Sequence, residues 1–203
     1  MIEIIIDKKE DSKIIGVIEN GKLIEMYEEE KNNKHERNEG NIYVGIVQNI
    51  IPGMQAAFVN IGTQKNSFIH VKDIIPQVDE KIEKTEEPKI KNIVKPKQKV
   101  LVQVQKDSND KKGARVSTHI NLPGKYIVLM PNTSFITVSQ KIEDKAEQER
   151  LINLVKKYIG KENGAIIRTS AVKKEKELIH DIEDLERKWK KIRQKHFTNI
   201  KKS

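Results

Sequence analysis

Apolar and polar residues alternate along this chain with two different periods, and the change of period organises it. Strand-like alternation comes first, over Glu3 to Ile6, Lys13 to Glu19 and Lys22 to Glu28. Asn20-Gly21 joins the last two runs, and it is the strongest hairpin signal present because both positions of a two-residue turn need positive φ. A three-strand antiparallel meander is predicted. Lys31 to Glu39 is purely polar and reads as a linker. From Gly40 the strand pattern resumes over Asn41 to Ile50, Ala56 to Ile61, Ser67 to Val71, Lys99 to Gln105 and Arg115 to His119, with a Pro52-Gly53 turn. Between them, Asp79 to Lys99 is dominated by Glu and Lys with Pro88 and Pro96, and is expected to be an exposed, mobile loop. Five short strands broken by Gly and Pro turns suit a small closed barrel of the oligonucleotide-binding type.

After Gly124 the period lengthens. Tyr126 to Met130 and Ala165 to Arg168 read as short strands. Asp144 to Tyr158 carries Leu151, Leu154, Val155 and Tyr158 at helical spacing, with Ser139 or Asp144 as the opening residue and Gly160 after its end. A long charged helix follows from about Lys173 to Lys195, with Leu178, Ile182, Leu185, Trp189 and Ile192 on one stripe. Two or three strands do not stand alone. The helices able to cover the amino-terminal strands lie after Gly124, so the simplest organisation is one α+β domain split by an inserted barrel.

Composition narrows the chemistry. The 203 residues carry a net charge of +9, with 34% charged and 36% hydrophobic residues, which favours a polyanionic partner, nucleic acid ahead of an acidic membrane. An Ile, Lys and Asn bias also fits an AT-rich genome, so part of the lysine only solvates the surface. The absence of cysteine removes disulfides, thiolate catalysis and thiolate zinc sites. No run reaches the roughly 18 apolar residues of a membrane span, and the amino terminus is too short and too charged for a signal sequence. A cytoplasmic protein is expected.

Phe58 and Phe68 flank a Gly-Thr-Gln-Lys-Asn turn, and an even spacing lets both rings emerge on one face of a hairpin. Either they fill a core, or they form a platform on which unpaired bases stack, at roughly 1–3 kcal/mol per base. The surrounding basic chain favours the platform.

Several strings resemble the amino-terminal part of the ribonuclease E/G family, bacterial endoribonucleases that process and degrade RNA. They are Gly40-Asn-Ile-Tyr-Val-Gly45, Pro52-Gly-Met-Gln-Ala-Ala-Phe-Val-Asn-Ile-Gly62, Phe68-Ile-His70, Lys112-Gly-Ala114, Gly124-Lys-Tyr-Ile-Val-Leu-Met-Pro-Asn132 and Ile167-Arg-Thr169. The resemblance covers nearly the whole chain in order. It implies a split ribonuclease-H-like domain, residues 1–37 and 121–203, interrupted over 38–120 by a five-stranded OB-fold barrel of the kind repeated in the ribosomal protein S-one. The family's nuclease centre uses paired aspartates on magnesium in a later region. On the resemblance this chain therefore carries no cofactor of its own and should not cleave RNA unaided, as a piece of a longer enzyme or a natural truncation. The family's cysteine motif for zinc-linked dimers is absent as well.

The resemblance also implies roles. Phe58 and Phe68 match the base-stacking pair, and Lys112 the basic residue beside them, although Lys111 would serve a phosphate equally. His70, two positions from Phe68, either contacts RNA or is a barrel histidine without a role. Gly124, Val128, Arg168 and Thr169 match the pocket that senses a 5′-monophosphate. An Arg fork grips phosphate in two places, a Thr hydroxyl adds a bond, and Gly allows close backbone approach. The competing reading of Arg168-Thr169 is a salt bridge and a cap. Asp7 has no convincing partner acids for a two-metal site of about 3.5–4 Å spacing. Asp107, Asp110, Asp144 and the acids from Asp181 to Glu186 are expected in turns, caps and a solvated helix face. The basic run from Arg187 to Lys195 either guides RNA or is an ordinary exposed helix. Single-stranded RNA is the expected partner, with other parts of the same enzyme or a second copy. A stand-alone RNA-binding or ribosome-associated protein, and an assembly element binding protein, remain as alternatives.

Overall fold

Asn20 and Gly21 take φ of 50° and 79°, the left-handed pair that a type I′ hairpin requires. They join strands β2 (Ser12–Glu19) and β3 (Lys22–Glu30), and β1 (Ile2–Lys8) pairs with β2 from Ile2↔Glu19 to Lys8↔Lys13. The computed structural model describes residues 1–10, 12–30, 37–75 and 89–201. It divides into two units, residues 1–37 and 38–203. The first is this antiparallel sheet, in the order β1-β2-β3, and Ile4, Ile6, Leu23 and Met26 on it are exposed.

In the second unit, β4 (Ile42–Ile51), β5 (Ala56–Asn60), β6 (Ser67–His70), β7 (Lys99–Lys106) and β8 (Arg115–Ser117) close into a barrel in the order β4-β5-β6-β8-β7. Every pairing is antiparallel except β6 with β8. The arrangement is OB-like, as the strand pattern predicts. Curvature comes from register shifts at Val47/Ile50 and Val104/Lys106. At Gly45 the next strand comes so close that a Cβ would lie 2.4 Å from Val59 Cγ1. Val47, Ala57, Val59, Ile69, Val102, Val104 and Val116 fill the interior.

One expectation needs correction here. The stretch Asp79 to Lys99 is not exposed throughout: Ile90 and Val94, at 0% and 3% exposure, enter the barrel core from a one-turn helix, α1 (Ile90–Ile93). Two apolar residues one helical turn apart within a charged run carry that anchor. The Gln55 side chain accepts from Ile90 N at 2.9 Å and fixes it. Residues 79–88 of the expected loop lie outside the described residues.

Four further strands, β9 (Leu122–Pro123), β10 (Ile127–Pro131), β11 (Ile136–Val138) and β12 (Asn163–Ile167), form a sheet in the order β11-β12-β10-β9. Helices α2 (Lys145–Tyr158) and α3 (Glu175–Lys201) cover it. Asp144 caps α2 by accepting from Ala146 N and Glu147 N, and Gly160 follows its end. Leu151, Leu154 and Val155 of α2 are buried as their spacing requires, but Tyr158 is 45% exposed. Leu178, Ile182, Leu185 and Trp189 of α3 pack with Ile127, Leu129 and Ile167. The buried stripes of both helices are thus taken up by a sheet of residues 122–167. Two of its strands were absent from the predicted elements because two or three residues are too few to show a period. Barrel and sheet are joined through Ile42 and Leu101, and through Gln103, which donates to Gly40 O and Asn121 O and accepts from Asn121 N.

Candidate nucleic-acid interface

Antiparallel pairing of β5 with β6 sets Phe58 directly opposite Phe68. Their sequence neighbours Ala57, Val59, Ser67 and Ile69 are buried in the barrel. Strand alternation therefore turns both rings to the outer surface, side by side. The centroids lie 6.3 Å apart with planes at 71°, an edge-to-face pair that fixes both rings. Both rings are half-buried and neither belongs to the buried core of the barrel.

His70 lies on the same strand face, opposite Ala56. Its Nδ1 accepts from Lys72 N at 3.2 Å, which orients the ring. Lys112 is brought to the same end of the barrel by two loops that lock together. Asn109 Oδ1 accepts from Lys111 N and Lys112 N at 3.0 and 2.8 Å, and Lys65 Nζ crosses between the loops to Asn109 O at 3.0 Å. Gly113 lies against Asn66, where a Cβ would sit 1.9 Å from the carbonyl oxygen. The next residue, Ala114, accepts from Phe68 N at 2.8 Å. The backbone of Lys112 is thus held two residues from the residue that meets Phe68, on a loop that only glycine can close. Arg115, which sequence reasoning did not single out, pairs with Phe68 across the parallel step and grips Asp73 in two places at 2.9–3.1 Å.

The second candidate set gathers at one end of the other sheet. Val128 faces Ile166 across β10 and β12, on the side away from buried Ile127, Leu129, Ala165 and Ile167. Arg168 continues that alternation past the strand end, is exposed, and donates its N–H to Tyr126 O at 2.9 Å. Thr169 opens the single turn Thr169–Ala171. Gly124 N donates to Ile127 O at 2.8 Å. Arg115, Arg150, Arg187 and Arg193 are paired with acids, whereas the guanidinium of Arg168 has no ion-pair partner among the described residues. The salt-bridge reading of Arg168 therefore finds no support.

The Ribonuclease E/G family signature matches residues 121–203, the part that carries Gly124, Val128, Arg168 and Thr169. Ribonuclease G of Escherichia coli K12 is 44% identical over 158 residues, which is 75% of this chain and 32% of that protein. Ribonuclease G of Haemophilus influenzae is 38% identical over 196 residues, 94% of this chain and 40% of the relative. The chain belongs to the ribonuclease E/G family. Ribonuclease E of a Nostoc species is 41% identical over 157 residues, covering 76% of this family member and 22% of the relative. This ribonuclease E/G family member thus spans about a third of the length of the curated ribonuclease G proteins it matches.

Among the described residues no group of three or more His, Asp or Glu side chains is placed to hold a metal ion. Two acids expected on a solvated helix face have definite partners instead. Asp181 accepts from Tyr126 N at 2.7 Å, and Glu186 accepts from Gly160 N at 2.8 Å and from the Asn163 amide. The basic side chains of the run beyond them are exposed where described, with Arg187 paired to Asp184 and Arg193 3.8 Å from Glu162. No helix among the described residues is long and apolar enough to cross a membrane.

Proposed function

We propose that this chain is the single-stranded-RNA-binding, 5′-end-sensing portion of a ribonuclease E/G-type endoribonuclease acting in RNA processing and decay. Phe58 and Phe68 stack unpaired bases, with His70 alongside, while Lys112 takes backbone phosphate. Arg168 and Thr169 grip a 5′-monophosphate, with Gly124 and Val128 shaping the approach. The observation that carries this reading is the outward, paired setting of two rings on a closed basic barrel. The fork of Arg168, without an ion-pair partner among the described residues, supports the second half.

In this reading residues 38–120 are the S-one-type barrel, and 1–37 with 121–203 are the two parts of a ribonuclease-H-like domain. The helices of the second part also give it a core of its own. Magnesium and cleavage belong to the family's nuclease region. The protein works in the cytoplasm with single-stranded RNA, alongside other parts of the same enzyme or a second copy.

Binding of single-stranded RNA oligonucleotides carrying a 5′-phosphate or a 5′-hydroxyl tests both halves. Phosphate contacts fall steeply with salt while stacking survives better. Phe58→Ala with Phe68→Ala should therefore remove most of the salt-resistant binding, roughly tenfold or more at 1–3 kcal/mol per stacked base. Unchanged affinity of the double variant at moderate salt defeats the stacking half. Equal affinity of the two RNA ends for the unaltered protein defeats the sensing half.

A further inference from the structure

Between Gly124 and Ile127 the chain makes a short connection whose polar backbone atoms are tied to two other segments, α3 and residues 168–170. Tyr126 N donates to Asp181 Oδ2 of α3 at 2.7 Å. Tyr126 O accepts from Arg168 N at 2.9 Å, and Lys125 O accepts from Ser170 Oγ at 2.7 Å. The same carboxylate closes the space beside Gly124, where a Cβ would stand 2.4 and 2.6 Å from its two oxygens. Arg168 and Ser170, which bracket Thr169, therefore both hang from Lys125-Tyr126, and Lys125-Tyr126 hangs from Asp181.

We infer that Asp181 is a positioning residue: it holds Lys125-Tyr126 in place, and with it the spacing between Gly124 and the Arg168-Thr169 pair. This rests on the proposed 5′-phosphate reading of those four residues and adds the group that sets their geometry. Asp181 itself sits on the helix side of the sheet and does not touch the phosphate. Its removal leaves the half-buried N–H of Tyr126 without an acceptor, and the connection shifts to find one. Phosphate recognition by a bidentate fork tolerates little displacement, so the loss appears at the RNA end. It also explains why glycine stands at 124: any side chain there pushes the carboxylate off Tyr126.

Asp181→Ala and Asp181→Asn separate the bond from the charge. The asparagine oxygen still accepts from Tyr126 N, so Asn keeps the preference for 5′-phosphate at the unaltered level or above, because a negative charge is lost nearby. Ala loses about tenfold of that preference, the range for a charge-assisted bond at a half-buried donor. Binding of 5′-hydroxyl RNA, which uses the barrel, stays the same in both and reports that the protein is folded. Gly124→Ala costs a similar factor alone but under about twofold more on top of Asp181→Ala, since the two changes break one bond. Amide hydrogen exchange read at Tyr126 and Arg168 gives a measurement independent of RNA, faster in Ala and restored in Asn. If the unaltered protein shows no end preference, the 5′-phosphate reading falls, while exchange still decides the role of Asp181. Full end preference and unchanged exchange in Asp181→Ala overturn the inference.

Discussion

Ser67 places a hydroxyl inside the barrel with its Oγ fully buried and no hydrogen-bond partner among the described residues. A buried polar group left unpaired carries a desolvation cost without return. Ser67→Ala is expected to raise stability by about 1 kcal/mol, read as a higher denaturant midpoint with an unchanged slope. RNA affinity stays the same, because Ser67 faces inward while Phe68 faces out. Gly113→Ala should act in the opposite direction. Its added carbon meets the Asn66 carbonyl, a backbone atom that cannot swing aside, so the loop carrying Lys112 must open. Loss of about 1–3 kcal/mol, seen in thermal melts and accompanied by weaker RNA binding, is the expected outcome. At this scale the ring pair was legible in the sequence because a period of two and a short turn are local properties. Asp181 was not, since its contact with Tyr126 spans 55 positions. A carboxylate on a charged helix gives no local sign that one of its oxygens is engaged.

Among the elements, α2 and α3 illustrate what periodicity delivers. Their buried faces follow from the spacing of Leu151, Leu154 and Val155, and of Leu178, Ile182, Leu185 and Trp189. What they would cover was not written there, because an apolar stripe accepts any apolar sheet and the short strands β9 and β11 show no pattern of their own. The two helices are also tied at the surface by Arg150, which bonds Glu147 of α2 at 2.7 Å and Glu175 of α3 at 3.0 Å. The Arg150 hydrogen bond holds the Glu147 carboxyl below its ordinary value. A lowered folded value means that the stabilisation is fully present above the unfolded pKa, near 4.3, and disappears as pH falls through the folded one. Glu147→Gln should therefore cost no more than about 1 kcal/mol at neutral pH, as exposed pairs do, and nothing in strong acid. Chemical denaturation of both proteins at the two pH values reads that difference.

For the molecule as a whole, the second unit works as one body because barrel and sheet share polar as well as apolar contacts. Gln103, at 5% exposure, makes two of its three bonds toward the sheet, to Asn121 O and Asn121 N, and the third to Gly40 O at the start of the barrel. Gln103→Leu leaves those backbone groups without partners and is expected to cost about 1–3 kcal/mol. The proposed base-stacking and end-sensing sets lie on opposite sides of this junction in the chain, so on that proposal the substitution should also lower the preference for 5′-phosphate in long RNA more than in short. Titration of oligonucleotides of increasing length into the variant measures that. The barrel itself was readable from its strand count and turns. The junction was not, because a glutamine inside an alternating strand looks the same whether it faces solvent or a neighbouring layer.

Arg168 has a practical consequence. On the proposed 5′-phosphate reading, a guanidinium exposed at a strand end also takes inorganic phosphate and sulfate, both of which match its fork. Assays run in such buffers would fill the grip before any transcript arrives. The contrast between 5′-phosphate and 5′-hydroxyl RNA expected on that reading would then shrink, and chloride or acetate solutions would restore it.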